Sequence, residues 1–178
     1  MRKKLLALGL ASAALFAGHD AMAYYASNTI TVNASATVAS PVTISLNKTQ
    51  HKTAGELNFG TVTQPTSLGG ANVYISESDT RTTDGGCTTI GGETNCGAAW
   101  FDVKGEPNVT VSITADLYTV LSNNANSTIF AYLSLSSTSI LLDMNGNGSG
   151  CVFGHLAIPY DASSGSYSGT FKVDANYQ

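Results

Sequence analysis

Few residues of this 178-residue chain carry the types and spacings that chemistry requires. Asp143-Met144-Asn145-Gly146-Asn147-Gly148 matches the first half of an EF-hand loop, whose alternate oxygens ligate calcium. That loop is completed by a bidentate carboxylate at position 12, and here the position is Gly154, which has no side chain to offer. The hexapeptide therefore reads as a Gly/Asn turn. His51 lies in a Lys/Thr-rich stretch and His155 in an alternating run, and neither has a neighbour that suggests a triad or a ligand set. There is no G-x-S-x-G elbow, and the acids are scattered singly at turns rather than paired as a glycosidase needs. The expectation is a protein that is not an enzyme and holds no metal or other cofactor.

Cys87 and Cys96 bracket eight polar, Gly-rich residues, which reads as a loop pinned at its neck by a disulfide. Cys151 is then left over, and three cysteines allow three single pairings. Trp100 and Phe101 are adjacent, so on a strand they face opposite ways, one toward the core. Tyr24, Tyr25, Tyr74, Trp100, Tyr118 and Tyr160 are candidate sugar-stacking aromatics, with no cluster visible in the sequence. N-x-[ST] matches include those that begin at Asn33, Asn47, Asn108 and Asn126; such short matches arise by chance in a chain this rich in Asn, Ser and Thr.

The composition limits what scaffold holds these residues. Only 11% of the chain is charged and 43% is apolar, while Ser, Thr, Asn and Gly supply about 40%. Low charge with ample apolar content argues against disorder. A net charge of −4 argues against a nucleic-acid partner. A Thr/Ser/Val/Ile/Gly-rich chain poor in Glu and Lys is that of an all-β protein.

The first residues belong to export rather than to the fold. Met1-Arg2-Lys3-Lys4 is a basic n-region, Leu5 to Ala17 an uncharged h-region, and Ala21-Met22-Ala23 a small-x-small cleavage pattern. Thirteen apolar residues are too few to span a bilayer of about 30 Å. The expected organisation is a cleaved signal peptide over 1–23, an arm over 24–39 and a β-sandwich over 40–178, with no membrane span in the mature form. The destination is the periplasm and then the cell surface or the medium.

Period-two alternation dominates the mature chain. Residues 29–38 alternate cleanly, with Ile30, Val32, Ala34, Ala36 and Val38 on one face. Further strands are expected over 42–46, 57–62, 71–76, 98–103, 109–115, 129–135, 139–143, 152–160 and 167–177, with 98–115 forming a hairpin, 77–96 the longest stretch without a period and 145–150 a turn. Short strands with turns every 8–12 residues describe a β-sandwich. The last of them places Phe171, Val173 and Tyr177 on one face, and both terminal strands are nearly free of the charges that guard sheet edges. An extended segment of one subunit adding to the sheet of the next, head to tail, makes a fibre.

The ending Gly165-Ser166-Tyr167-Ser168-Gly169-Thr170-Phe171-Lys172-Val173…Tyr177-Gln178 resembles that of pilins assembled by the chaperone–usher route. Together with Ala34 to Ile44, Leu57 to Val62 and Phe101 to Pro107, it is similar to a secreted bacterial family catalogued as domain of unknown function 4402. The pilin resemblance implies an immunoglobulin-like sandwich lacking one strand, a periplasmic chaperone and an outer-membrane usher. The expected function is thus a structural subunit of a cell-surface fibre whose partners are copies of itself, polymerised by donation of Ile30–Val38. Phe171, Val173 and Tyr177 would carry core or assembly contacts. The alternative is that the arm completes its own sandwich, giving a secreted adhesin, matrix component or carbohydrate-binding module.

Overall fold

A computed structural model describes residues 33–178 apart from 50–52, 54 and 93–95. The expected signal segment, and Ile30 and Val32 of the arm, lie outside the described residues. The chain divides into two units, Met1–Thr37 and Val38–Gln178. In the first unit, the described residues 33–37 form no strand and are exposed.

The second unit is all-β. Its strands are β1 (Thr43–Leu46), β2 (Thr61–Val62), β3 (Ala71–Ile75), β4 (Arg81–Thr83), β5 (Thr89–Ile90), β6 (Ala99–Lys104), β7 (Thr110–Ala115), β8 (Tyr118–Ser122), β9 (Thr128–Leu135), β10 (Ser139–Leu141), β11 (Asn147–Ile158) and β12 (Val173–Tyr177). The long β11 organises the larger sheet. Along one edge it pairs first with β6 (Cys151↔Trp100) and then with β3 (His155↔Tyr74), while β9 covers the other edge (His155↔Tyr132). The strands β1, β4 and β8 extend that sheet beyond β6, β3 and β9 respectively. A second sheet has the order β10-β7-β12, and β2 pairs with β5 in a third, small one. All pairings are antiparallel, so the fold is a sandwich-like all-β domain, as its alternation predicts.

The alternating faces do the packing. Phe101 and Val103 of β6, Val111 and Ile113 of β7, Val73 and Ile75 of β3, and Val152 of β11 belong to one buried cluster. Each such side chain contributes about 1.5–3 kcal/mol by leaving water. Of the adjacent pair, Phe101 is core, and Trp100 is half-buried with its indole N–H 3.4 Å from Asp79 Oδ1.

Several sequence expectations are corrected. The segment 98–115 is not a hairpin: β6 pairs with β1 and β11, whereas β7 pairs with β10 and β12. The chain between them changes sheets, turning through Asn108 at φ 59°. Residues 77–96, the longest stretch without a period, hold β4 and β5, both too short to display one. The turn expected over 145–150 closes earlier, at Asp143–Gly146 (Gly146 N to Asp143 O, 2.9 Å), and β11 begins at Asn147. The last strand covers only Val173–Tyr177 of the expected 167–177. Before it the chain bridges β8 at Ser122↔Ser168, then crosses to the edge of β7.

The Cys87–Cys96 disulfide is not present in the structure, although all three cysteines are buried. Register explains this. Thr63 pairs with Thr88, and the Cys87 thiol lies 3.0 Å from the Thr63 carbonyl. Asn58 pairs with Gly97, next to Cys96. The two cysteines therefore sit toward opposite ends of the 58–63 segment. At about 3.3 Å per residue this separates them by on the order of 10 Å, beyond the Cα separation that a disulfide spans.

Candidate functional site

The larger sheet and the β10-β7-β12 sheet are not closed along one side. β1 pairs with β6 alone and β12 with β7 alone, and among the described residues no strand lies between their other edges. The opening is a groove of about 1090 Å³. Ile44 and Leu46 of β1, with Leu57 and Phe59 of the following segment, form one wall. Tyr167, Phe171 and Val173 form the other. Its floor is the core itself, where Phe101, Ile129, Val152 and Leu156 line the cavity. Most of these side chains belong to alternating strands that turn their apolar face inward; the floor residues are themselves buried, and the apolar surface left open is that of the walls, Leu46 above all.

Two of the three expected C-terminal assembly residues, Phe171 and Val173, thus meet at one wall, both half-buried. The third, Tyr177, does something else. Its hydroxyl donates to the carbonyl of Ser40 at 2.6 Å and accepts from the amide of Glu106 at 2.7 Å. Ser40 N is in turn 3.2 Å from the Glu106 carboxylate. The last strand, the β6–β7 connection and the residue leading into β1 are tied by one phenol. Sequence alone marked Tyr177 as a face residue but not as this clasp, because both partners are backbone groups far away in the chain.

Of the expected arm, Ala34 and Ala36 are exposed and outside any strand, and Val38 is 94% exposed.

The other chemical candidates resolve into structure. Asp143 Oδ1 accepts the amides of Asn145 and Asn147, each at 2.8 Å. Those bonds, that of Asn147 first, hold its carboxyl below the usual range. Burial pushes the Cys151 thiol up to about 11. Among the described residues no three His, Cys, Asp or Glu side chains gather as a metal set, and no helix is long and apolar enough to cross a membrane. Of the candidate stacking aromatics, Tyr74 and Tyr118 come to one sheet face, together with Phe130, Tyr132 and His155, which the sequence reading did not single out as a group. Their signal was the alternation of β9 and β11, legible only once register aligned the strands.

One family model matches the chain over residues 48–177, and its description is a domain of unknown function, DUF4402. No curated protein and no solved structure matches.

Proposed function

For a chain that belongs to this family of undescribed function, we propose a structural role without catalysis: a subunit of a bacterial cell-surface fibre that polymerises by strand donation. Exported through a cleaved signal peptide, each subunit lays its arm, with Ile30, Val32, Ala34, Ala36 and Val38 inward, between β1 and β12 of a second copy. The observation that carries this reading is the groove of about 1090 Å³, walled by β1 and the segment leading into β12, each bordering it with an edge that pairs with no further strand among the described residues. A strand there hydrogen-bonds to both edges and supplies alternate apolar side chains to the floor, which is strand addition in its usual form. Small residues at Ala34 and Ala36 suit mid-groove positions over the bulky Phe101. A subunit with an open core needs a periplasmic chaperone to cover it before assembly and an outer-membrane usher to export it, and those are the partners we assign.

The test is the mature protein (24–178) beside a variant lacking 24–38, purified and run on detergent gels with and without boiling. The full chain gives a ladder of detergent-resistant multimers that boiling collapses, as kinetically trapped strand exchange requires. The deletion variant gives monomer alone. A ladder from the deletion variant would overturn the proposal.

A further inference from the structure

The outer face of the larger sheet is not the polar surface that a solvent-facing antiparallel sheet normally presents. Tyr118, Tyr132, His155 and Tyr74 are successive cross-strand partners on β8, β9, β11 and β3, so they form one row running across the strands. At about 4.8 Å between strands, the row is roughly 15 Å long. Tyr132 stacks on His155 with centroids 4.9 Å apart and planes at 18°, and Tyr74 lies against His155 at 5.5 Å and 33°. Since β3 and β9 flank β11 on opposite sides, His155 is the middle ring, and it covers one face of each tyrosine. Tyr74 and Tyr132 remain 40% and 46% exposed. Phe130 leans on Tyr118 at 6.3 Å beside the row.

A depression of about 350 Å³ opens beside Tyr74 and His155, lined by Ile75, Phe153 and Gly154 and by the hydroxyl-bearing Ser76, Thr80, Thr82 and Ser134. At the Tyr74 end, Asp84 is fixed in place: it accepts the Asn72 amide at 2.6 Å, the Asn72 side chain at 3.2 Å and the Tyr74 hydroxyl at 3.0 Å. These bonds, led by the Asn72 backbone amide, hold its carboxyl below the usual range, so it stays an acceptor across the physiological range. Among the described residues no Lys or Arg lines the row or the depression.

We propose that this face is a binding site for a neutral polysaccharide, its sugar units packing on the ring faces of Tyr74 and Tyr132 that His155 leaves uncovered and on Tyr118, with hydroxyls directed to Asp84 and the Ser/Thr rim. The chemistry selects that class. Pyranose rings offer C–H edges of slight positive charge to the negative faces of aromatic rings. Their hydroxyls donate to a carboxylate and exchange bonds with Ser and Thr. Charge complementarity excludes polyanions: the single fixed charge at the row is an acid, and the chain carries net charge −4. The site lies on the opposite face of the sheet from the groove and does not depend on how subunits assemble.

The experiment is native affinity electrophoresis of the mature protein in gels containing laminarin, hydroxyethylcellulose, xyloglucan or galactomannan, with polygalacturonate as the anionic control. At least one neutral polymer retards the wild-type protein. The double variant Tyr74→Ala/Tyr132→Ala weakens that retardation at least tenfold, Asp84→Asn weakens it severalfold, and Tyr160→Ala, on an exposed residue off the row, leaves it unchanged. Because Asp84→Asn keeps the side chain's shape, it tests the site even if the double variant folds poorly. Failure of all four neutral polymers to retard the protein, retardation by polygalacturonate alone, or equal losses in Tyr160→Ala and the row variants would each overturn the proposal. Concentration-dependent self-association lost in the row variants, with no sugar binding, would overturn it in favour of a second copy on this face.

Discussion

Replacing Tyr177 by Phe removes one oxygen and keeps the ring. That oxygen makes two hydrogen bonds, donating to Ser40 O at 2.6 Å and accepting from Glu106 N at 2.7 Å. Each is worth about 0.5–1.5 kcal/mol net of water competition, the exposed Ser40 bond at the lower end. The change should therefore cost about 1–2 kcal/mol. At 2–4 °C per kcal/mol for a domain of this size, the midpoint of thermal unfolding falls by about 2–8 °C. Calorimetry of the mature protein reads the shift. Amide exchange adds a local readout, since Glu106 N–H loses its acceptor and should exchange faster, while the amides of β9 keep their protection. A shift below about 1 °C with unchanged exchange at Glu106 would refute the clasp, and with it the idea that the last strand fixes where the chain enters β1.

Three further outcomes follow from the same geometry. Gly154 has φ 155°, and a Cβ there would meet the Tyr132 carbonyl, so Gly154→Ala should cost a few kcal/mol and sharply reduce the yield of folded protein; an unchanged unfolding midpoint would contradict the tight β9–β11 approach. Cys151, held as a neutral thiol up to about pH 11 against an ordinary 9.0, should resist iodoacetamide at pH 8 until the protein is unfolded. Because its folded value is raised, its contribution to stability is complete below about pH 9 and is lost as pH climbs toward 11; peptide mapping of the same sample should recover Cys87 and Cys96 unbridged. Asp143 carries the opposite sign, since its carboxyl is lowered by the Asn147 and Asn145 amides. Wild type should exceed Asp143→Ala in stability at neutral pH, and the gap should close as pH falls through the lowered folded value, as measured by urea unfolding across pH.

The legible part of this fold was its local periodicity. The strands β3, β6, β7 and β9 follow alternation that any reader of Ala71–Ile75 or Thr128–Leu135 would find. Pairing was less legible. Residues 98–115 contain two good strands and a Gly/Pro/Asn turn, the local signature of a hairpin, yet the strands join different sheets because each finds more apolar surface there. Two-residue strands such as β2 and β5 leave no period to read. At the groove, the sequence marked Phe171 and Val173 through their shared face, but Ile44, Leu57 and Val152 joined them only through tertiary structure. The aromatic row was invisible for the same reason. Tyr74, Tyr118, Tyr132 and His155 span more than 80 positions, and only the registers of three strand pairs bring them into line.

The central claim is that residues 28–39 fill the groove between β1 and β12. It is tested most directly by titrating a synthetic peptide of that sequence into the isotope-labelled 24–38 deletion variant and following its amide spectrum. The account predicts saturable shifts concentrated at Ile44, Leu57, Phe171 and Val173, with the outer-face residues Tyr74 and Tyr132 unmoved. No saturable shift, or shifts confined to the outer face, would contradict it.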